Sequence, residues 1–325
     1  MILAGDIGGT KTNLAIYDEK NLKVVLLEEF KSKDFSSFEK LINQFLSKHK
    51  EYKIKKACFG IAGPIIEQRC KTTNLPWDIK QSDLQEQLNI KNVRLLNDLE
   101  ATAYGMLYLE EKEFVNLNEY GRDTKGNIAV IAAGTGLGEA ILYFDGKDYF
   151  PIATEGGHSD FAPLTAQQDE LLKWARDRFK GHVSVERIVS GMGISTIYDF
   201  LVDSNFALQA NFMSNLNKHS DKSAMISKGA LEFDDKLCKE TMKLFCEIYA
   251  AEAGNLALKS MSVGGVLIGG GIAPKILPFL ENEVFINTFF SKGRFEELMR
   301  GMKIKVALND KTALLGTARY AMDKL

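Results

Sequence analysis

Cysteine and proline are scarce in this chain, with 4 and 6 in 325 residues. The cysteines, Cys58, Cys70, Cys238 and Cys246, form no Cys-x-x-Cys pair and have no histidine at ligand spacing, so a zinc knuckle or redox pair has little support and reduced, mostly buried thiols are expected, while a chain of 325 residues is too long for a short disulfide-stapled module. An excess of one charge is also missing, since 41 Lys+Arg stand against 43 Asp+Glu for a net of −2. That balance fits neither the basic field of a nucleic-acid binder nor a disordered acidic tail. The longest Gly-apolar run, 263–273, is too short and glycine-rich to cross a bilayer. The opening Met-Ile-Leu-Ala lacks the basic and apolar regions of a secretory signal. A cytoplasmic protein with no nucleic-acid or membrane partner is the expectation. What is present is length, enough for about two domains, and 27 glycines whose positions matter more than their number.

The first third alternates strand and helix. Three strands are predicted at Ile2 to Ile7, Asn13 to Tyr17 and Val24 to Phe30, the first two joined by a Gly-Gly-Thr turn. A helix is predicted from Ser36, because Phe38, Leu41, Ile42, Phe45 and Leu46 share one face. Strands follow at Ile54 to Ile61 and Val93 to Leu96, the latter preceded by a short helix that Ser82 and Gln85 could open as a capping box. The pattern then restarts with a strand at Ile128 to Ala133, a turn at 134–138, and strands at Ala140 to Phe144 and Tyr149 to Thr154. Strand, glycine turn with threonine, strand, strand thus occurs twice, a weak internal repeat that suggests duplicated domains. Helices are expected at Thr165 to Lys180, Gly193 to Val202 and Asp234 to Lys259. A strand at Gly265 to Ile268 enters Gly269-Gly270-Gly271 and a helix opening at Pro274. A strand at Ile304 to Leu308 and a helix through Leu315 and Tyr320 close the chain.

The turn Gly5-Asp6-Ile7-Gly8-Gly9-Thr10-Lys11-Thr12 suits an anion. Adjacent glycines can take positive φ and bring N–H groups close, threonines add hydroxyl donors, and Asp6 could hold hydrated Mg²⁺. A plain hairpin would use the same Gly-Gly. Known nucleotide motifs fail: Thr10 precedes Lys11 where a Walker A loop needs glycine, and Glu139 stands where the dinucleotide fingerprint needs its last glycine. Three glycine clusters at strand ends remain, at 8–9, 134–138 and 269–271, and these could grip a nucleotide.

Here the residues carry a resemblance. Asp6-Ile-Gly-Gly-Thr is similar to the first phosphate motif of the sugar kinase, actin and heat-shock chaperone superfamily, and Ala133-Gly-Thr-Gly-Leu-Gly to the second. Val266-Leu-Ile-Gly-Gly-Gly-Ile-Ala-Pro resembles the adenosine motif, and Phe59-Gly-Ile-Ala-Gly-Pro and Thr312-Ala-Leu-Leu-Gly-Thr-Ala the two connecting motifs. All five occur in order. Within the superfamily the chain most resembles the bacterial glucokinases, through Asn97-Asp98-Leu-Glu-Ala, Thr154-Glu155-Gly-Gly-His158, Val185-Glu186-Arg187-Ile-Val-Ser-Gly191 and Asn74-Leu-Pro-Trp77, the last a piece of the sugar cleft wall. Lys11 is closer to the related repressor and sugar-kinase (ROK) family. Ser159 to Gly181, however, lacks that family's cysteine-rich zinc segment, and no helix-turn-helix precedes Asp6.

Each residue also has a plainer reading. Asp98 could be only a helix N-cap, Glu-Gly-Gly-His a surface turn around a structural histidine, and Glu186 an exposed helix residue. No metal site is expected at His158, because His49, His182 and His219 lie in unrelated segments. The chemistry nonetheless fits phosphoryl transfer to an alcohol, which needs a carboxylate for the hydroxyl proton, donors around the γ-phosphate and Mg²⁺. Gly156-Gly157 would permit the bend that brings Glu155 and His158 together, and such groups suit vicinal sugar hydroxyls.

The resemblance implies an α/β, two-domain duplicated ribonuclease H-like (actin-like ATPase) fold, with mixed sheets flanked by helices and a cleft between domains. It places the small domain at 1–109 plus 309–325 and the large one at 110–308. The implied activity is ATP-dependent phosphorylation of glucose at its 6-hydroxyl. Asp98 would be the general base, Asn97, Glu155, His158 and Glu186 would hold the sugar, and Asp6 would hold Mg²⁺ through water. Gly8, Gly9, Thr10, Lys11, Thr135, Gly136 and Gly270 would line the ATP site, and a homodimer is implied. Another hexose such as mannose or fructose, a sugar-sensing regulator, or an actin-like filament protein are the competing readings, because fold alone does not decide function.

Overall fold

The computed structural model describes all residues except Thr73, 217–220 and Asp310, so His219 lies outside the described residues. In chain order the first elements are β1 (Ile2–Ile7), β2 (Lys11–Tyr17), β3 (Val24–Lys31), α1 (Phe38–Lys48), β4 (Lys56–Ile61), β5 (Arg69–Lys71) and β6 (Asp78–Lys80). Next come α2 (Gln81–Leu88), β7 (Asn92–Asn97), α3 (Asp98–Met106), β8 (Phe114–Asn116), β9 (Ile128–Ala133), β10 (Leu137–Phe144) and β11 (Tyr149–Ala153). A helical stretch follows, α4 (Ala166–Phe179), α5 (Gly191–Asp203), α6 (Asn211–Ser214), α7 (Lys222–Glu232) and α8 (Lys236–Lys259). The chain closes with β12 (Gly265–Gly269), α9 (Leu277–Leu280), α10 (Glu283–Phe290), α11 (Glu296–Arg300), β13 (Ile304–Ala307) and α12 (Thr312–Lys324). Among the described residues no helix is long and apolar enough to cross a membrane.

Contacts divide the chain into two units. The first is Met1–Glu113, Ala140–Ala153 and Asn309–Leu325, and the second is Phe114–Glu139 and Thr154–Leu308. The expected stretch 110–308 is therefore not kept whole. Ala140–Ala153 groups with the first unit because the β10–β11 hairpin packs on α3, where Glu100 also receives a backbone hydrogen bond from Ala153.

In the first unit a five-stranded sheet runs β3-β2-β1-β4-β7, antiparallel through β3, β2 and β1 and parallel from β1 to β7. Strand alternation sorts the side chains by size. Leu3, Ile7, Leu14 and Ile16 join Phe38, Phe45, Phe59 and Trp77 in one core cluster. Ile2, Ala4 and Ala15 join Ala101, Leu314, Ala318 and Ala321 in the other. The small residues of the second cluster let α3 and α12 cross closely. A Cβ on Gly316 would lie 1.8 Å from the Ala101 carbonyl oxygen, and one on Gly105 2.0 Å from that of Thr312.

In the second unit β9, β12, β13 and β8 lie side by side in that order, parallel except for β8. Buried α8 packs on β9 and β12 and on α5, α7 and α10, with the Tyr249 hydroxyl donating to the Ile131 carbonyl at 3.4 Å. Helix α4 fills the segment predicted at Thr165 to Lys180; Thr165 caps it through Gln168 and Lys180 ends it in the left-handed region. The start of α2 differs from expectation: Lys80 occupies the cap position without a side-chain bond, and Ser82 donates to Asp83 at 2.9 Å instead. All four cysteines are free and buried, and burial pushes the Cys70 thiol up to about 11.

Candidate active site

Parallel register gathers the first unit's candidates at one sheet edge. Ile7 lies beside Ile61 and Ile61 beside Asn97, so the turn after β1, the turn after β4 and the start of α3 emerge together. This is the carboxyl end of the parallel strands, where α/β sheets hold ligands. The 8–10 turn is fixed from below by Ser32. Its Oγ donates to the Gly8 carbonyl at 2.7 Å, its N–H donates to the Thr10 carbonyl at 3.0 Å, and its hydroxyl lies 3.0 Å from that of Thr12. Ser32 is fully buried and went unnoticed in the sequence, where nothing distinguishes it from other serines before a helix.

The expected positive φ at Gly8 and Gly9 is not found. Glycine is needed for room instead, since a Cβ on Gly9 would come within 2.9 Å of Asn74 and one on Gly8 within 3.0 Å of the Lys11 carbonyl. Thr10 is exposed at the turn, and Lys11 pairs with Glu29 on β3 at 2.8 Å. Half-buried Asp6 bonds Asn13 across the hairpin, and burial raises its pKa. Trp77 is core rather than wall: it is 2% exposed, its indole N–H donates to the Phe35 carbonyl at 3.0 Å, and it packs on Phe38.

Asn97 and Asp98 divide the end of β7 and the start of α3 between them. The capping role falls on Asn97, whose Oδ1 accepts from Leu99 at 2.8 Å, while Glu100 reaches back to the Asn97 N–H at 2.8 Å to complete a capping box. The Asn97 amide also donates to the Gly63 carbonyl at 3.1 Å, in the connecting motif after β4. Asp98 is the first helical residue, half-buried, with Oδ1 accepting from its neighbour's N–H at 2.9 Å. Charge on Asp98 contributes to the raised pKa of Cys70, which lies against Gly63.

The second unit repeats the device. Ala132 on β9 lies beside Gly269 on β12, so the turn 134–136 and the cluster 269–271 emerge side by side. Gly270 is glycine for conformation and space, with φ of 82° and a Cβ that would meet the Ala133 carbonyl at 2.2 Å. These turns border a cavity of about 520 Å³. Gly134, Thr135, Gly271 and Ile272 line it with Ile194, Lys275, Asp221 before α7, and Ser227, Lys228, Leu231 and Glu232 on α7. Of the residues expected at the ATP site, Thr135 lines the cavity but Gly136 and Gly270 do not. Helix α7 was absent from the sequence reading, although Asp221, which caps it through Ala224 at 3.1 Å, is an ordinary N-cap signal.

Glu155, His158 and Glu186 meet on a shared frame. The Val185 N–H donates to the Ser159 carbonyl at 2.9 Å, and Asp160 bridges to Ser184, so the Glu155–His158 loop runs beside the short helix Val185–Arg187. Glu155 and His158 are exposed. Glu186 accepts the Leu137 N–H at 3.0 Å, in space that Gly136 leaves open, since a Cβ there would be 2.4 Å from its Oε2. Gly157 sits on the same residue, its imagined Cβ 2.1 Å from the Leu137 carbonyl, and neither Gly156 nor Gly157 takes a left-handed φ. The glycine pair thus makes the expected tight bend, a 3-10 turn in which the His158 N–H donates to the Glu155 carbonyl at 3.0 Å, and it also allows close approach.

The family model for glucokinase matches residues 3–324. The chain is 40% identical to the glucokinase of Nostoc punctiforme over 99% of this chain and 98% of that one, and 39% identical to that of Trichormus variabilis over the same shares. The crystal structure of a glucokinase from an Antarctic psychrotroph superposes with a TM-score of 0.85 at 30% identity, covering 99% of both chains.

Proposed function

Because the chain belongs to the glucokinase family, with the α/β fold of the sugar kinases, we propose how its residues divide the family's reaction. The protein is an ATP-dependent kinase that converts glucose to glucose 6-phosphate. Asp98 accepts the proton of the 6-hydroxyl as that oxygen attacks the γ-phosphorus, and ADP leaves with the bridging oxygen. The observation that carries this assignment is its place at the first turn of α3, after a complete capping box. The helix dipole favours its ionised form, and the N-cap position itself is taken by Asn97.

Glu155, His158 and Glu186, with the Asn97 amide, hold the ring hydroxyls. The nucleoside enters the cavity of the second unit. Ile194, Leu231 and Ile276 supply apolar faces there, and Asp221, Ser227, Lys228 and Glu232 supply acceptors and donors. Gly8, Gly9, Thr10, Thr135 and Gly136 present backbone and hydroxyl donors to the phosphates, with Gly270 setting the turn near the adenosine. Lys11 joins them by giving up Glu29. A magnesium ion, when bound, offsets phosphate charge. Asp6 suits it through water, because burial makes a lone carboxylate charge costly and a cation compensates it.

Reduced buried thiols support a cytoplasmic setting. The homodimer implied by the resemblance is tested by equilibrium sedimentation. The reaction itself is tested by ADP release with glucose, mannose and fructose, with and without Mg²⁺. Release that is strongest with glucose and dependent on Mg²⁺ is expected, because a site bonded to each hydroxyl rejects an epimer. Equal release with every hexose would reject the assignment of Glu155, His158 and Glu186.

A further inference from the structure

Glu139 belongs to no motif assigned above, yet it is the most confined acid near the sugar loop. It follows the glycine turn on β10 and is 3% exposed. Its main-chain carbonyl accepts the Thr154 hydroxyl at 2.9 Å, and that hydroxyl in turn accepts the Gly156 N–H at 3.1 Å. Its carboxyl lies directly beneath the loop, where a Cβ on Gly156 would come within 2.0 Å of Oε2 and 2.8 Å of Cδ. Both the backbone and the side chain of one residue therefore support the strand of loop that carries Glu155 and His158. The carboxyl has an unusual environment: buried Oε1 has no hydrogen-bond partner, and neither does Oε1 of Glu252, which faces it from α8.

We propose that Glu139 is a positioning residue for glucose, its carboxyl forming a floor that holds the Glu155–His158 loop in its sugar-binding shape and releases it when the carboxyl becomes charged. This rests on the reading of that loop as the sugar site. Burial first and the charge of Glu252 second push the Glu139 carboxyl up to about 7, while Lys259 opposes the shift. The surrounding charges come from two elements. Glu252 and Lys259 lie on α8, with Lys259 3.7 Å from Glu252. Lys292, after α10, donates to Asn255 at 2.8 Å, and Asn255 donates to Glu252 at 3.0 Å. The sugar loop contributes uncharged Gly156 at the contact itself, flanked by Glu155 and His158. Below neutrality the floor is neutral and compatible with the Glu252 carboxylate. Above it a second buried negative charge stands near that of Glu252 with its Oε1 unpartnered, and the loop moves off.

The test is the pH profile of KM for glucose, from pH 5.5 to 9 at saturating ATP, in the wild type, Glu139→Gln and Glu155→Gln. The wild type should show KM for glucose rising about tenfold across neutrality with KM for ATP unchanged. Glu139→Gln, a neutral isostere, should hold the low-pH KM throughout; Glu155 and His158 are present in both, so the difference isolates Glu139. A Glu139→Gln profile that rises like the wild type overturns the proposal. Glu155→Gln serves as the separate check on the loop. If it leaves KM for glucose unchanged, the sugar-loop reading fails. If it raises KM while the Glu139→Gln and wild-type profiles coincide, only the role of Glu139 fails. Should Glu139→Gln not fold, Glu252→Gln answers the same question: the wild-type inflection should move to lower pH, and an unmoved inflection overturns the proposal.

Discussion

Asn97 and Asp98 show how much one position matters. On sequence alone Asp98 is either a helix cap or a base, and in the structure the N-cap position falls to the preceding residue while Asp98 shares the Leu99 N–H with it. The pair was legible as a motif but not as a division of labour, since Asn and Asp are equally good caps and only register decides. Ser32 was not legible at all: it acts through the backbone of residues distant in sequence, a contact created by strand pairing. Ser32→Ala should cost about 1 to 2 kcal/mol in urea unfolding, because it leaves the Gly8 carbonyl without its hydroxyl donor, and should raise KM for ATP more than KM for glucose. Glu139 carries a pH signature in stability as well. An unfolded glutamate ionises near 4.5 and the folded one at about 7, so the contribution is complete below the lower value and is lost as pH rises through the upper one. Glu139→Gln should therefore lose less unfolding free energy than the wild type between pH 5 and 8, by at most about 3 kcal/mol; a parallel loss in denaturant titrations would rule out a buried, proton-holding Glu139.

At the scale of elements, periodicity found the long, regular pieces. The alternation in β1 and β2 and the apolar face of α1 are dictated by burial on a sheet, and α4 carries its caps in plain view. Helix α7 escaped because its buried face is short, Ile226, Gly229 and Ala230, while others of its residues line a cavity. The crossing of α3 and α12 was half visible. Gly316 stood in a recognised connecting motif, but the partner it makes room for, Ala101, is more than two hundred residues away in sequence. Gly316→Ala should cost about 3 kcal/mol, since the clash is with backbone that cannot rotate away. It should also lower kcat by shifting the N-terminus of α3; thermal melting and steady-state kinetics check the two parts. An unchanged melting temperature would mean that the helices do not pack as closely as described.

At the scale of the whole molecule, each unit uses one construction: a glycine turn after a strand, beside the ends of parallel strands, with a helix wall or cap supplying side-chain chemistry. The glycines announced these turns in the sequence. Their physical reason is only partly the expected one, because Gly9, Gly136, Gly157 and Gly156 give room to Asn74, Glu186, Leu137 and Glu139, and of the turn glycines Gly270 takes a left-handed backbone. Room cannot be read from a sequence, since it depends on which side chain arrives from elsewhere in the fold. The motif that carries Asp98, by contrast, was readable from residue order alone, and the proposed role of Asp98 as proton acceptor is the claim on which the mechanism stands. Asp98→Asn measures it: glucose Kd by calorimetry should stay within about threefold of the wild type, while kcat falls about a thousandfold with the proton acceptor removed. A kcat near the wild-type value would contradict the account.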